Sequence, residues 1–430
     1  MDHTSSHTPK KPTPRRDSSA YSANPHLSSA PWGRIVALAC GVVALVALVT
    51  FISAPGSQNS DEQLGTTGSD ETQSTELAAT SGHVSFVAVG DSLPDIVLAD
   101  YADACAGETG DGLYDYSPLY APLKTHIEAA DLAYVKEETH LGGDEIGPRG
   151  WPSFNTTDSM ADALVDTGFD LVGSATNHSY DWGTFGALEH SREVWNAQPV
   201  TFTGTASSQE EADELALREC NGITFALLDY TYGVNGFDQS DLPAYAVNFI
   251  DEQRIRDDVA RAKEEADVVL VAMHWGTENQ TEPDEDQLAY ADLLTELEVD
   301  VVLGSHPHVI GPLEWKQGSS GHWTLVAYSL GNFISHHDTP NPINELEGML
   351  RCDFVRNETG KVEIENVEWT PLVNHTQDGA YAVYPLDGYT NELAVAHENL
   401  KELEDPLTWM HDTSNEIVNS LGGTFNITPL

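Results

Sequence analysis

From His83 onward the chain alternates apolar runs of strand length with amphipathic segments of helix length, and this alternation constrains the fold more than any other feature. VSFVAVG, LAYV, FDLVGS, PVTFTG, ITFALLDY, DVVLVAM and VDVVLG read as strands. PLYAPLKTHIEAA, DSMADALVDTG, GALEHSREVWNA, DEQRIRDDVARAKEEA and DEDQLAYADLLTELE read as helices. The pattern predicts a layered α/β domain over residues 83–400. Towards its end WTLVAYSL, MLRCDFV and KVEIENVEW follow one another without helices, which predicts a mixed sheet or a second sheet of neighbouring strands. Residues 401–430 read as a helix-like C-terminal tail. With 40% hydrophobic and 8% aromatic residues, the 430-residue chain has apolar mass for a core, so wholesale disorder is excluded.

Ahead of this domain, Ile35 to Ala54 is free of charge and matches the roughly 20 residues that a transmembrane helix needs. Lys10, Lys11, Arg15, Arg16 and Arg34 precede it and Asp61 and Glu62 follow, so residues 1–34 are expected as a disordered, basic cytoplasmic tail. A cleaved secretory signal is the competing reading, and both export the bulk of the chain. Residues 55–82 are polar, acidic and without aromatics, which predicts a flexible tether. The expected location is the cell membrane, single-pass, with the main domain extracellular. Acidic side chains outnumber basic ones 69 to 19, for a net charge of −50. Such a field repels polyanions and excludes nucleic acid as a partner. Cys40 lies in the apolar run, and Cys105, Cys220 and Cys352 are far apart without C-x-x-C spacing, so neither a disulfide scaffold nor a cysteine zinc site is expected.

The informative residues stand where apolar runs end: Asp91 after VAVG, Glu138 after LAYVKE, Asn177-His178 after LVGSAT, His274 after VVLVAM, and His306-Pro307-His308 after VVLGS. Carboxyl ends of strands in an open α/β sheet face one crevice, so these side chains can converge despite their separation in sequence. Proline favours extended geometry at the residue before it, and an extended His306-Pro307-His308 turns both imidazoles to one side. The Asn177 amide oxygen suits a cation, while His178 on the other side of the backbone is free to donate a proton. Two carboxylates, one amide and three imidazoles without a thiolate suit Mn²⁺, Fe²⁺ or Zn²⁺. Two such ions sharing a carboxylate would support hydrolysis.

With these motifs in place the chain resembles the CapA family, named for bacterial capsule and poly-γ-glutamate synthesis, which is similar in fold to the calcineurin-like metallophosphoesterases. The resemblance runs from about Val84 to Trp369 through VAVGD, YDYSPLY, Glu138-Thr139, WPSFNT, ATNHSYDWG, HWGTE, LGSHPHVI and YSLGNFI, in family order. It implies a four-layer α/β/β/α metallophosphoesterase-like sandwich, which the transmembrane helix expected from the uncharged run would precede. It also implies metal ligation by Asp91, Glu138, Asn177, His274, His306 and His308, with His178 as the catalytic proton donor. Three positions depart from the wider pattern. Leu93 stands where broader metallophosphoesterases have the histidine of D-x-H. Lys136 replaces an asparagine on the side of Glu138, with which an extended strand would let it pair. His140 replaces a proline on that same side, as an extra ligand. Ser329, Gly331 and Asn332 of YSLGNF are expected to be structural, at the crevice floor.

Two functions follow as expectations. One is a membrane-anchored, metal-dependent hydrolase of phosphoester type acting on cell-envelope polymer or its lipid-linked precursor. The other is a non-catalytic accessory of a capsule synthesis and export complex, with membrane subunits as partners.

Overall fold

Alternate residues of a strand point to opposite faces, and in the central strands of this protein both faces are apolar and both are covered. The computed structural model describes residues 82–143, 145–337 and 341–430. The expected membrane helix at 35–54, the tail before it and nearly all of the tether lie outside the described residues. Among the described residues no helix is long and apolar enough to cross a membrane.

Two mixed sheets form the centre. The first holds β1 (His83–Ser92), β2 (Leu132–Glu137), β3 (Leu171–Gly173) and β4 (Thr201–Thr203), all parallel. It continues on the other side of β1 through antiparallel β12 (Leu346–Arg356), β13 (Val362–Gln377) and β14 (Ala380–Pro385), while β11 (Asn332–Ile334) pairs with β1 and β15 (Asn426–Ile427) with β13. The second sheet runs β5 (Ala216–Cys220), β6 (Ile223–Thr231), β7 (Val268–His274), β8 (Val301–Ser305), β10 (Trp323–Ala327) and β9 (Leu313–Gln317) in that spatial order. Its four central strands are parallel.

Phe86 and Ala88 of β1 meet Phe225 and Leu227 of β6 and Leu270 of β7 in one core between the sheets. The alternate residues Val87 and Val89 face the helices Ile96–Ala106 and Ser159–Thr167 through Leu98, Ala102, Met160 and Leu164. On the far side, Ala226 and Val271 face the helices Glu252–Glu265 and Glu285–Glu296 through Ile255, Val259, Ala291 and Leu294. The C-terminal helix Pro406–Val418 adds Met410 and Val418 to the core between the sheets.

Two local expectations are corrected. PLYAPLKTHIEAA forms two one-turn helices, Ser117–Tyr120 and Lys124–Ile127, because Pro122 between them has no N–H to continue a helix. WTLVAYSL is not a neighbour of MLRCDFV and KVEIENVEW: it supplies β10 of the second sheet, whereas those two become β12 and β13 of the first. The chain crosses between sheets at Leu330-Gly331-Asn332, so close to β1 that a Cβ on Gly90 would lie 1.8 Å from the Gly331 carbonyl oxygen. Cys220 and Cys352 are free thiols.

One buried ion pair spans the two sheets. Lys136 of β2 donates its Nζ proton to Asp229 Oδ1 of β6, and both side chains are sealed from solvent. The second oxygen of Asp229 accepts from the Ala175 N–H at 2.7 Å. Glycines at 173 and 204 clear its space, since a Cβ there would come within 2.9 and 2.3 Å of Asp229 Oδ2. Lys136 therefore does not pair with Glu138 as the strand pattern suggested. Truncating one partner strands the other charge in the interior, so Asp229→Ala should lose about 3–5 kcal/mol in urea unfolding. The apolar double variant Lys136→Met/Asp229→Leu should recover most of that loss.

Candidate metal centre

The parallel strands of both sheets end at one crevice, and the sequence-predicted residues line its floor. Asp91 is near the end of β1, in register with Asn332 of β11 and Lys136 of β2. Glu138 follows β2 directly, Asn177 and His178 lie in the bend after β3, and His274 is the last residue of β7. His306 and His308 follow β8. Asp91, Glu138, Asn177, His178, His274 and His306 are all buried, with His308 half-buried.

Their atoms converge. Glu138 Oε1 lies 3.6 Å from His274 Nε2 and 4.0 Å from His178 Nε2, and Glu138 Oε2 lies 3.8 Å from His308 Nδ1. Asp91 Oδ1 is 3.7 Å from His274 Nδ1, and Asp91 Oδ2 is 3.9 Å from His308 Nδ1. The Asn177 amide oxygen meets His274 Nε2 at 2.7 Å. Donor atoms of Glu138, His306 and His308 all fall within 4.8 Å of one another.

The His-Pro-His segment reaches this arrangement differently from the extended geometry expected of it. The strand stops at Ser305, and His306 (φ +94°) and His308 (φ +58°) both take left-handed backbone conformations. Each costs a non-glycine residue about 1–3 kcal/mol, a strain typical of functional loops. The bend also aims the His306 N–H at Asp91 Oδ2, 3.0 Å away. His140, expected as an extra ligand, is turned from the crevice: its ring is buried against the Ala187 backbone, and burial lowers it to about 4.

Electrostatics at the floor are dominated by burial. Desolvation raises the Asp91 carboxyl, opposed by His308, the His306 N–H and Lys136. Desolvation, followed by the negative Asp91, holds the Glu138 carboxyl well above its usual range. The same burial keeps the His274 imidazole well below its ordinary value and brings His306 to about 3, so both rings are neutral at pH 7 with lone pairs available. Asp91 Oδ1, both oxygens of Glu138 and His306 Nδ1 are buried without a hydrogen-bond partner. Buried carboxylates in that condition are costly unless a cation is present. These donors fit a divalent ion: carboxylate and amide oxygens with neutral imidazoles, and no thiolate.

Several positioning residues escaped the sequence pattern. Asp181 Oδ2 lies 2.7 Å from His178 Nδ1 and also accepts from the Phe154 N–H, fixing the ring so that Nε2 faces Glu138. Ser305 Oγ meets His274 Nδ1 at 2.9 Å. Asn332, expected to be structural only, places its amide oxygen 2.9 Å from His308 Nδ1. Asp181 had a usable signal, since three residues on from His178 within a turn is close enough to reach back. Asn332 and Ser305 had none, because the partner of Asn332 comes from the other sheet and that of Ser305 from the neighbouring strand β7, remote in sequence.

The chain spans about half the length of the curated relatives it matches. It is 28% identical over 220 residues to the PGA biosynthesis protein CapA of Bacillus subtilis, covering 50% of this chain and 54% of that protein. It is 26% identical over 179 residues to the capsule biosynthesis protein CapA of Bacillus anthracis, covering 40% and 41%. Among solved structures, the Haemophilus influenzae NAD nucleotidase overlays with a TM-score of 0.43 at 11% identity, over 78% of this chain and 67% of that one. A likeness of that strength says nothing further about the crevice. The family model described as bacterial capsule synthesis protein PGA_cap matches residues 85–337, more than half of the chain, and the protein belongs to that family.

Proposed function

We propose that this protein is an exported, membrane-anchored member of a capsule or poly-γ-glutamate synthesis system, and that its crevice hydrolyses a phosphoester in a cell-envelope polymer or lipid-linked precursor. The observation that carries this reading is the Glu138 carboxylate, buried with neither oxygen hydrogen-bonded and within 4.0 Å of three imidazoles. In this reading Asp91, Glu138, Asn177, His274, His306 and His308 hold one or two divalent ions, Mn²⁺, Fe²⁺ or Zn²⁺. A divalent ion there supplies Lewis acidity toward a phosphoryl oxygen and activates water. The protein's own groups do the rest. Asp181 holds His178 Nδ1, so protonated His178 presents Nε2 to the leaving-group oxygen and gives up that proton as the bond breaks. Asn332 and Ser305 fix the rings of His308 and His274. Residues 35–54 anchor the domain outside the membrane.

A second reading, a non-catalytic accessory to a capsule export complex, is favoured by Leu93, an apolar side chain two residues beyond Asp91 in place of a metal-binding histidine. Lys136 no longer argues for it, because that ammonium is committed to Asp229.

Full-length protein supplied with Mn²⁺ should release phosphate or cleave a phosphodiester. Asp91→Ala and His306→Ala should abolish turnover, and His178→Ala should reduce kcat by about 10²–10⁴-fold while ion binding persists. Turnover that is absent in the wild type and unchanged by these substitutions favours the accessory reading.

A stability test is independent of substrate. Because the folded-state carboxyl of Glu138 lies above its unfolded value, metal-free protein carries no penalty from it below the ordinary glutamate range near pH ~4.3 and loses stability as pH rises above it. Glu138→Gln should therefore make the metal-free protein more stable at pH 7 by about 1–3 kcal/mol, with the gain shrinking toward pH 4. It should also forfeit the stabilisation of about 2.7 kcal/mol that the wild type gains at an ion concentration 100 times Kd. Urea titrations at several pH values, with and without Mn²⁺, check both signs.

A further inference from the structure

The crevice mouth carries aromatic rings that the chemistry proposed above does not use. Tyr232, just after β6, is 46% exposed although its ring centre lies only 4.7 Å from that of His306. Its plane is within 5° of parallel to His274, at 6.4 Å. Five residues along the same loop, Phe237 is 38% exposed and packs edge-on against Tyr180 at 5.1 Å. Room for it is built in: Gly183 has φ +58°, and a Cβ there would lie 2.5 Å from the Phe237 ring. Across His178, Phe154 meets the imidazole edge-on at 4.7 Å, and the same WPSF loop presents Trp151 with 84% of its surface exposed. Exposed aromatics in a loop that also touches a buried polar centre signal ligand contact rather than chance surface composition.

Polar groups are interleaved with these rings. Asn235 lies between Tyr232 and Phe237 in sequence, and its amide nitrogen is 3.5 Å from His178 Nε2. The exposed Glu278 bears electrostatically on both Tyr232 and Glu138. Single aromatic faces separated by amide and carboxylate groups suit a pyranose, whose C–H face stacks while its hydroxyls find acceptors. An acyl or isoprenoid chain would call for continuous apolar surface instead. Lys136, whose charge bears on Asp91 and Glu138, is paired with Asp229 and sealed from solvent, so it presents no cation at the mouth.

We infer that Tyr232 and Phe237 form a sugar-stacking platform at the mouth of the metal centre, so that the substrate is a phosphoester with a pyranose ring next to the scissile phosphate. This inference rests on the hydrolase reading for its orientation but makes a separate claim about recognition. Full-length protein with Mn²⁺ is assayed for phosphate release from glucose 1-phosphate, glycerol 1-phosphate and farnesyl phosphate, and binding of the same three is measured by calorimetry. The wild type should favour the hexose ester over both others by about tenfold, a typical worth for one stacked ring. Tyr232→Ala and Phe237→Ala should collapse the hexose-to-glycerol ratio by about that factor, mainly through KM or Kd, while Tyr232→Phe retains it. Equal treatment of hexose and glycerol esters, a preference for farnesyl phosphate, or ratios unmoved by the alanine variants overturns the platform. Hexose-selective binding without any turnover supports the platform and sinks the hydrolase reading. Turnover without hexose selectivity does the reverse.

Discussion

Two carboxylates buried at strand ends set the terms for the rest of this molecule. Asp91 and Glu138 lie in a floor that water does not reach, and neither would stay ionised there without positive charge nearby. The obvious internal cation, Lys136, is drawn to Asp229 across the gap between the sheets. The crevice is therefore left with unpaired carboxylate oxygens beside the neutral rings of His274 and His306. A fold that only needed stability would replace such a cluster with apolar side chains.

The architecture around that floor keeps the donors in place. β1 and β2 lie side by side, which fixes Asp91 beside Lys136. The second sheet brings His274 and the bend carrying His306 and His308 to the same depth. Ser305 and Asp181 each take Nδ1 of His274 and His178 and leave Nε2 directed at Glu138, while Asn332 meets the same His308 Nδ1 that faces Asp91 and Glu138. The close passage of Gly331 over Gly90 brings Asn332 within reach of His308, so a loop that reads as a plain turn is part of the centre.

Much of this was legible in the sequence because strand periodicity and strand-end polarity are local signals. Each of the residues from Asp91 to His308 singled out as a ligand follows or closes an apolar run, and the parallel topology brings such ends together. What was not legible depended on long-range pairing. Lys136 looked like a competitor of Glu138 because its partner, Asp229, is remote in sequence and in the other sheet. His140 shares the side of Glu138 in an ideal strand, but β2 ends at Glu137 and the extended pattern does not continue to it. The His-Pro-His segment was read as extended from the ordinary preference before proline, which the tertiary contact between the His306 N–H and Asp91 overrides. The assignment of WTLVAYSL to the wrong sheet has a similar origin, since adjacency in sequence says nothing of a crossing between layers.

The account depends on the crevice taking up a divalent ion, and elemental analysis of full-length protein equilibrated with Mn²⁺ and then freed of excess ion tests it most directly. The predicted result is about one to two ions per chain in the wild type and a loss of most of that content in a His308→Ala variant that remains folded. Wild-type protein that holds no ion above background, or a variant that holds as much as the wild type, would contradict it.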